Sequence, residues 1–273
     1  MHPFLSTKEE TFMHKPFPGS ARARLRRTAR WLALIAAATI AGPVLAQGGP
    51  PMVTDDPETP GDGHWEINLG AIATRTHGRL EVAAPDADIN YGWGDHIQLK
   101  ADVPWVFARD DGQRWKSGLG SGNFGVKWRF IDQEQAGFSM STYPQYTRSM
   151  LDGSIRRGVT GGGHEFFLPL ELAADIGGFG VSTEVGRNFV SGGGDSQWIA
   201  GIVAGHACGE GRECIAEVRQ TQAPGTHLTL LNLGMHWKIN DTYTLLGAVG
   251  REFGTSSDER RQVLVYVGVQ IVR

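Results

Sequence analysis

From His64 onward, apolar and polar residues take turns along the chain. Trp65, Ile67, Leu69, Ala71 and Ala73 fall on one face, and Glu66, Asn68 and Thr74 on the other. A period of two is the signature of an extended strand, whose successive side chains point to opposite faces. The pattern recurs and predicts strands over 64–74, 79–92, 96–107, 122–131, 137–146, 164–175, 179–190, 196–207, 214–220, 227–239, 243–253 and 262–272. Twelve is an even number, as a bacterial single-chain barrel requires. Between these segments lie short Gly-rich breaks, such as Gly161-Gly162-Gly163 and Gly192-Gly193-Gly194, which read as turns.

The connections carry a separate signal. Tight ones at Gly94-Asp95, 132–136, Gly177-Gly178 and Asn240-Asp241 alternate with more open ones, of which 108–121 and 147–163 are the longest. Outer-membrane barrels have short turns on the periplasmic side and longer loops outside. Closure also has a physical cause, because an open sheet edge in lipid leaves backbone groups unpaired at several kcal/mol each. Trp65, Trp93, Trp105, Trp128, Phe130, Trp198, Trp237 and Tyr243 are positioned to form interfacial girdles. The fold class expected is all-β, an antiparallel up-and-down transmembrane β-barrel of about 12 strands. The competing architecture is a soluble β-sandwich or lipocalin-like barrel with its aromatics in a core.

If the apolar face meets lipid, the polar face lines the interior. That assigns to the lumen Glu66 in the first strand and Asp88 and Asn90 in the second. Gln98, Lys100 and Asp102 follow in the third, and Lys127 and Arg129 in the fourth. Later strands contribute Glu171, Glu184, Glu217, Arg219 and Lys238. Such a lining can select and conduct a solute, or its charges can pair with one another and fill a narrow barrel. Arg187 interrupts its strand's alternation, which predicts a bulge or an interfacial position.

Upstream, the pattern is different. Arg22, Arg24, Arg26, Arg27 and Arg30 precede an uncharged apolar run from Trp31 to Ala46, which ends in Val44-Leu45-Ala46. A basic region, an apolar region and small residues at a cleavage site read as a secretory signal peptide over 1–46. The run is shorter than the roughly 20 residues that span a bilayer. Met13 is an alternative start, because the residues before it add nothing to the signal. Residues 47–63, with four prolines and four glycines, read as an extended periplasmic leader. The barrel domain is then 64–273. Removing the seven basic and two acidic residues before Gln47 changes the net charge from −3 to −8, with 19 basic and 27 acidic residues left. That balance speaks against nucleic acid as a partner. The partners expected are outer-membrane lipid, the outer-membrane assembly machinery and a small-molecule solute.

Cys208 and Cys214 flank a predicted turn. In an exported chain this pair reads first as a disulfide, with free or redox-active thiols and a metal site as alternatives. No catalytic, cofactor-binding or metal constellation is expected. There is no G-x-S-x-G elbow. The serines Ser139, Ser141 and Ser182 lie in strands and the histidines His96, His164 and His236 can face inward, but seven histidines after residue 46 give such a set by chance.

Several segments resemble a known family. They are Asp88-Ile89-Asn90-Tyr91-Gly92-Trp93-Gly94-Asp95-His96-Ile97-Gln98-Leu99-Lys100 with Val103-Pro104-Trp105, then Gly122 to Phe130, and Thr142-Tyr143-Pro144-Gln145. Leu168-Pro169-Leu170-Glu171, Glu184-Val185-Gly186, Leu233-Gly234 and Gly250-Arg251-x-Phe253-Gly254 continue the match. Together they are similar to the transporter-like family named for the MetA pathway of phenol degradation, over most of 55–273. The resemblance implies an outer-membrane barrel moving small compounds, aromatic ones among them. The alternatives are a plugged structural or sensory barrel binding through its outer loops, and an outer-membrane lipid hydrolase. The chain departs from usual outer-membrane barrels in ending Gln270-Ile271-Val272-Arg273, without a terminal aromatic residue.

Overall fold

The computed structural model describes residues 48–255 and 258–273. The signal-peptide reading of 1–46 lies outside the described residues. Fourteen strand segments run in chain order: β1 (Trp65–Thr76), β2 (Arg79–Trp93), β3 (Ile97–Asp110), β4 (Lys116–Leu119), β5 (Ser121–Ile131), β6 (Ser139–Thr142), β7 (Gln145–Ser149), β8 (His164–Ile176), β9 (Phe179–Val190), β10 (Gln197–Gly209), β11 (Arg212–Ala223), β12 (Thr226–Lys238), β13 (Tyr243–Gly254) and β14 (Val263–Val272). Two short helices, α1 (Gln133–Ala136) and α2 (Asp152–Arg156), lie in connections.

Neighbours in sequence pair antiparallel around the sheet, and β1 closes on β14 from Glu66↔Val272 to Arg75↔Val263. Two barrel strands are each built from two pieces. β4 and β5 meet at Gly120 and pair with the upper and lower parts of β3. β6 and β7 are separated by Tyr143-Pro144, and both lie between β5 and β8. The result is a closed up-and-down barrel of twelve strands, two of them divided.

The strands begin and end close to where the alternation places them. The largest departure is the connection expected over 108–121. β3 continues to Asp110 and β4 starts at Lys116, which leaves only 111–115 between them. The other long connection, 150–163, carries α2 and folds back inside. Val159 is fully buried against Val106 and Ala108, and Arg79 donates to the carbonyls of Gly158 and Val159 at 3.1 and 2.9 Å.

The faces are the reverse of a soluble core. Leu99, Val126, Leu168, Val185, Leu233 and Val267 are exposed on the outside. Asn68, Asp88, Gln98, Lys127, Glu171 and Glu217 are buried inside. Water would make this arrangement unfavourable, whereas hydrocarbon around the barrel makes it the stable one. The named aromatics are likewise all exposed. Trp65, Trp93, Trp128, Phe130, Trp237 and Tyr243 lie toward the barrel end where β1 starts and β14 finishes. Trp105 and Trp198 lie toward the opposite end. Arg187 stands over the Trp198 ring at 5.3 Å in this second group, with no register shift between β9 and β10. The bulge its pattern allowed does not form there.

Irregularity is concentrated in β2. Its register against both β1 and β3 shifts at Ala84-Pro85. Proline cannot donate to the ladder, so a bulge is where a barrel strand tolerates it. The extra residue changes which parity points inward. Arg79, Glu81 and Ala83 face the interior above it, and Asp86, Asp88 and Asn90 below it.

Candidate functional site

The candidate site is the barrel interior, and the chain's own leader occupies it. Residues 48–63 enter from the end where β1 begins. Gly94 N donates to Asp62 Oδ1 at 2.8 Å, and Thr59 Oγ1 donates to the Asp95 carbonyl at 2.8 Å. Deeper in, the segment turns on itself, with Gly49 N bonded to Thr54 O and Met52 N to Gly49 O. Two wall glycines make room for this turn. A Cβ at Gly201 of β10 would lie 2.0 Å from Thr54 Oγ1, and one at Gly234 of β12 would lie 2.4 Å from Met52 Cε. Met52 packs there against Val203 and Ile215.

Most of the grip on the leader is polar. Glu217 accepts the N–H groups of Thr54 at 2.6 Å and Val53 at 3.2 Å, and Asn232 Nδ2 donates to it at 3.1 Å. Arg219 donates to Thr54 Oγ1 at 3.2 Å and also pairs closely with Glu184. Lys127 Nζ lies 3.0 Å from Asp55 Oδ1 and 3.6 Å from Glu171, donates to the Asp56 carbonyl, and stands 4.6 Å over the Tyr143 ring. Tyr143 is itself fully buried and accepts from Gln98 at 3.0 Å. Arg129 pairs with Glu58 at 2.5 Å, and Ser139 donates to the same carboxylate at 2.8 Å.

Burial and neighbouring charge act on the two leader aspartates in opposite balance. Burial raises the Asp55 carboxyl, but the Lys127 and Lys100 ammonium groups outweigh it and hold the group below the ordinary carboxylate value. Burial dominates at Asp56 and pushes it up to about 7, despite the pull of Lys127.

The residues assigned to the lumen therefore occupy distinct places. Lys127, Arg129, Glu184, Glu217 and Arg219 hold the leader or the side chains that hold it. Glu171 accepts from Ser141 and faces Lys127. Glu66 is bonded to Asn68, and Asn90 to Gln98. Lys100 lies 3.5 Å from Asp88, and Asp102 faces the cavity above the leader. Lys238 stands apart at the end of β12, exposed and paired with Asp241 at 2.8 Å, because its strand has reached the barrel rim. Cys208 and Cys214 are joined by a disulfide across the tight β10–β11 turn. Ser139 and Ser141 bond to Glu58 and Glu171, whereas His96, His164 and His236 lie against Asp132, Tyr146 and Glu213.

The leader was not visible as a lumen element in the sequence, where its Gly-Pro composition reads as a linker. It divides the interior. Beyond it lies a cavity of about 810 Å³ that reaches from Asp55 and Lys100 past Tyr266 and Phe167 to the outer residues Asp110 and Arg261. On the side where β1 begins and β14 ends, a space of about 70 Å³ remains between Gly48, Asp56, Glu66 and Lys127.

Comparison with protein-family models and with curated protein sequences gives no match. Among solved structures, the chain is similar to an outer membrane channel from Pseudomonas putida F1, with a TM-score of 0.61 and 12% identity over 80% of this chain and 98% of the other. It is similar to the KdgM porin in complex with disordered oligogalacturonate, with a TM-score of 0.52 and 10% identity over 76% and 98%. The NanC porin gives a TM-score of 0.53 and 7% identity over 75% and 98%. The likeness to these channels and porins is one of fold.

Proposed function

We propose that this protein is an outer-membrane channel of a Gram-negative bacterium for small solutes, aromatic compounds among them, and that residues 48–63 are its gate. One observation carries the reading: the barrel is closed by a segment held mainly through hydrogen bonds and ion pairs to a polar wall. A structural filler would bury apolar groups, which water cannot replace. Polar contacts can be exchanged for water at modest net cost, since a neutral hydrogen bond contributes about 1 kcal/mol and one to a charged group about 1.5–3 kcal/mol. Such a segment can leave without unfolding the barrel. The wide outer cavity then joins the narrow inner space into one passage. The resemblance to the MetA-pathway family supports small aromatic solutes as cargo, and the channel folds that the barrel is similar to support transport over an enzymatic role.

The test is conductance of the refolded barrel in planar bilayers, together with liposome swelling by sugars, amino acids and phenolic solutes. The chain beginning at His64 is expected to conduct more and admit larger solutes than the chain that retains the leader. Gly201→Leu, which places a side chain where Thr54 lies, is expected to reproduce that gain. Equal, negligible conductance from all three folded barrels would sink the channel reading.

A further inference from the structure

The outer cavity has a feature that holding the leader does not explain. Asp86 and Asp102 stand on adjacent strands of its wall, Asp86 opposite Pro104 and Asp102 two positions from Pro104 along β3. Asp88 lies directly across from Asp102 in the β2–β3 ladder. The one nearby ammonium, Lys100, is placed on Asp88 at 3.5 Å. Three carboxyls therefore share one cation. Like charges this close repel unless a proton or a further cation lies between them. Asp102 Oδ1 is buried and finds no hydrogen-bond partner among the described residues.

Tyr266 supplies an independent sign of a ligand. Tyr266 is only 6% exposed, yet its hydroxyl makes no hydrogen bond to another described residue. The ring lies flat over Gly268 and Gly70, where a Cβ on either glycine would come within 2.8 Å of the hydroxyl. Gly70 is the register partner of Asp86, so the phenol oxygen over Gly70 lies on the wall beside that aspartate's position. Tyr266 and both aspartates line the same cavity. The bulge at Ala84-Pro85 is what turns Asp86 to this face.

We propose that Asp86, Asp102 and Tyr266 form a subsite for the ammonium group of an amine solute whose apolar body lies in the outer cavity. An ammonium supplies the missing positive charge and donates to both carboxylates and to the phenol oxygen. The face of Tyr266 adds attraction for a cation. A metal ion suits the recess less well, because no group of three His, Cys, Asp or Glu able to hold one exists among the described residues. Apolar groups of Ile72, Leu264, Phe167 and the leader tip Met52-Val53 surround the remaining space. A volume of about 810 Å³ is within the usual range for small-molecule sites.

The inference deepens the channel reading by naming a solute class, and it is tested separately from conduction. Titration calorimetry on the refolded, detergent-solubilised barrel would compare 2-phenylethylamine with its neutral isostere 2-phenylethanol and its anionic relative phenylacetate. The amine is expected to bind at least about tenfold more tightly than the alcohol, as loss of charge-assisted hydrogen bonds implies. Asp102→Asn and Asp86→Asn should each remove that preference, and Tyr266→Phe should weaken amine binding about threefold without affecting the alcohol. Heat-modifiable gel migration reports whether each variant has folded, and any one of the three that folds is sufficient. Equal binding of amine and alcohol, or a preference that survives Asp102→Asn, would overturn the proposal and assign the carboxyl pair a shared proton instead. Amine binding without conductance in bilayers would leave the subsite standing and remove the channel. Conductance without amine preference would do the reverse.

Discussion

Glu217 of β11 accepts the backbone N–H of Thr54 at 2.6 Å, from a residue 163 positions earlier in the chain. The same carboxylate accepts from Val53 and Asn232 and is 2% exposed. It is thus the anchor of the leader's turn. Glu217→Gln keeps the shape but removes the charge from these bonds, and a hydrogen bond to a charged group contributes about 1.5–3 kcal/mol. Leader docking is expected to weaken by about tenfold or more. Single-channel recording should show longer or more frequent open events, with the fully open conductance unchanged. An unaltered open probability would mean that the turn is held by its apolar contacts at Met52.

Lys127 is the counter-charge for both the leader and the wall. It lies between Asp55 and Glu171, with a side chain only 2% exposed. Removing one member of a buried ion pair leaves the other uncompensated, at roughly 3–5 kcal/mol. Lys127→Met is therefore expected to lower the thermal unfolding temperature of the barrel and to release the leader. Adding Asp55→Asn should recover part of the loss, because it removes one stranded charge. If the double variant is as impaired as the single one, Glu171 is the partner that matters, and Glu171→Gln should then provide the recovery.

Much of the barrel was legible in the sequence because lipid and lumen impose opposite demands on successive residues. Trp65, Ile67 and Leu69 against Glu66 and Asn68 state both faces of β1 without any tertiary knowledge. Parity fails where the chain breaks it. Pro85 makes a bulge, so Glu81 and Asp86 both point inward although their positions differ by an odd number. Lys238 has inward parity but lies at the rim, and strand length decides that, not alternation. The leader was the least legible part. Nothing in Gly48-Gly49-Pro50-Pro51 signals burial, and its place is set by partners such as Gly201, Glu217 and Gly234 on strands formed far later in the chain. Small residues facing a lumen are a usable sign of a close approach, but they do not say which segment makes it.

The Cys208–Cys214 disulfide spans a sequence separation of 6. A loop that short constrains the unfolded chain by about 2 kcal/mol in the chain-entropy model. β10 and β11 are paired along their whole lengths without it, from Trp198↔Gln222 to Gly209↔Arg212. The Cys208→Ser/Cys214→Ser variant is expected to fold into a heat-modifiable barrel with wild-type conductance and a modestly lower unfolding temperature. Loss of the folded band would instead make the bond a requirement for assembly of this hairpin.

The leader should also respond to pH, through Asp56. Burial raises this carboxyl from 3.8 to about 7. A group whose pKa is raised on docking contributes fully below its ordinary value and loses that contribution as pH rises through the raised one. Asp55 has the opposite sign. It is lowered, so its contribution is present above 3.8 and is lost only in stronger acid. The charged groups that act on Asp56 are Lys127, which favours its ionised form, and Asp55 and Glu58, which oppose it. Of the two leader aspartates, Asp56 is thus the one that changes state below neutrality, and its ionisation weakens docking. Open probability is expected to rise from about pH 4 to about pH 7 and to level off above that, in the direction that linkage requires. Asp56→Asn should flatten the profile at the low-pH level, since the amide keeps the group neutral throughout. A variant that keeps the wild-type pH response would place the titrating group elsewhere in the barrel and remove Asp56 from the gate.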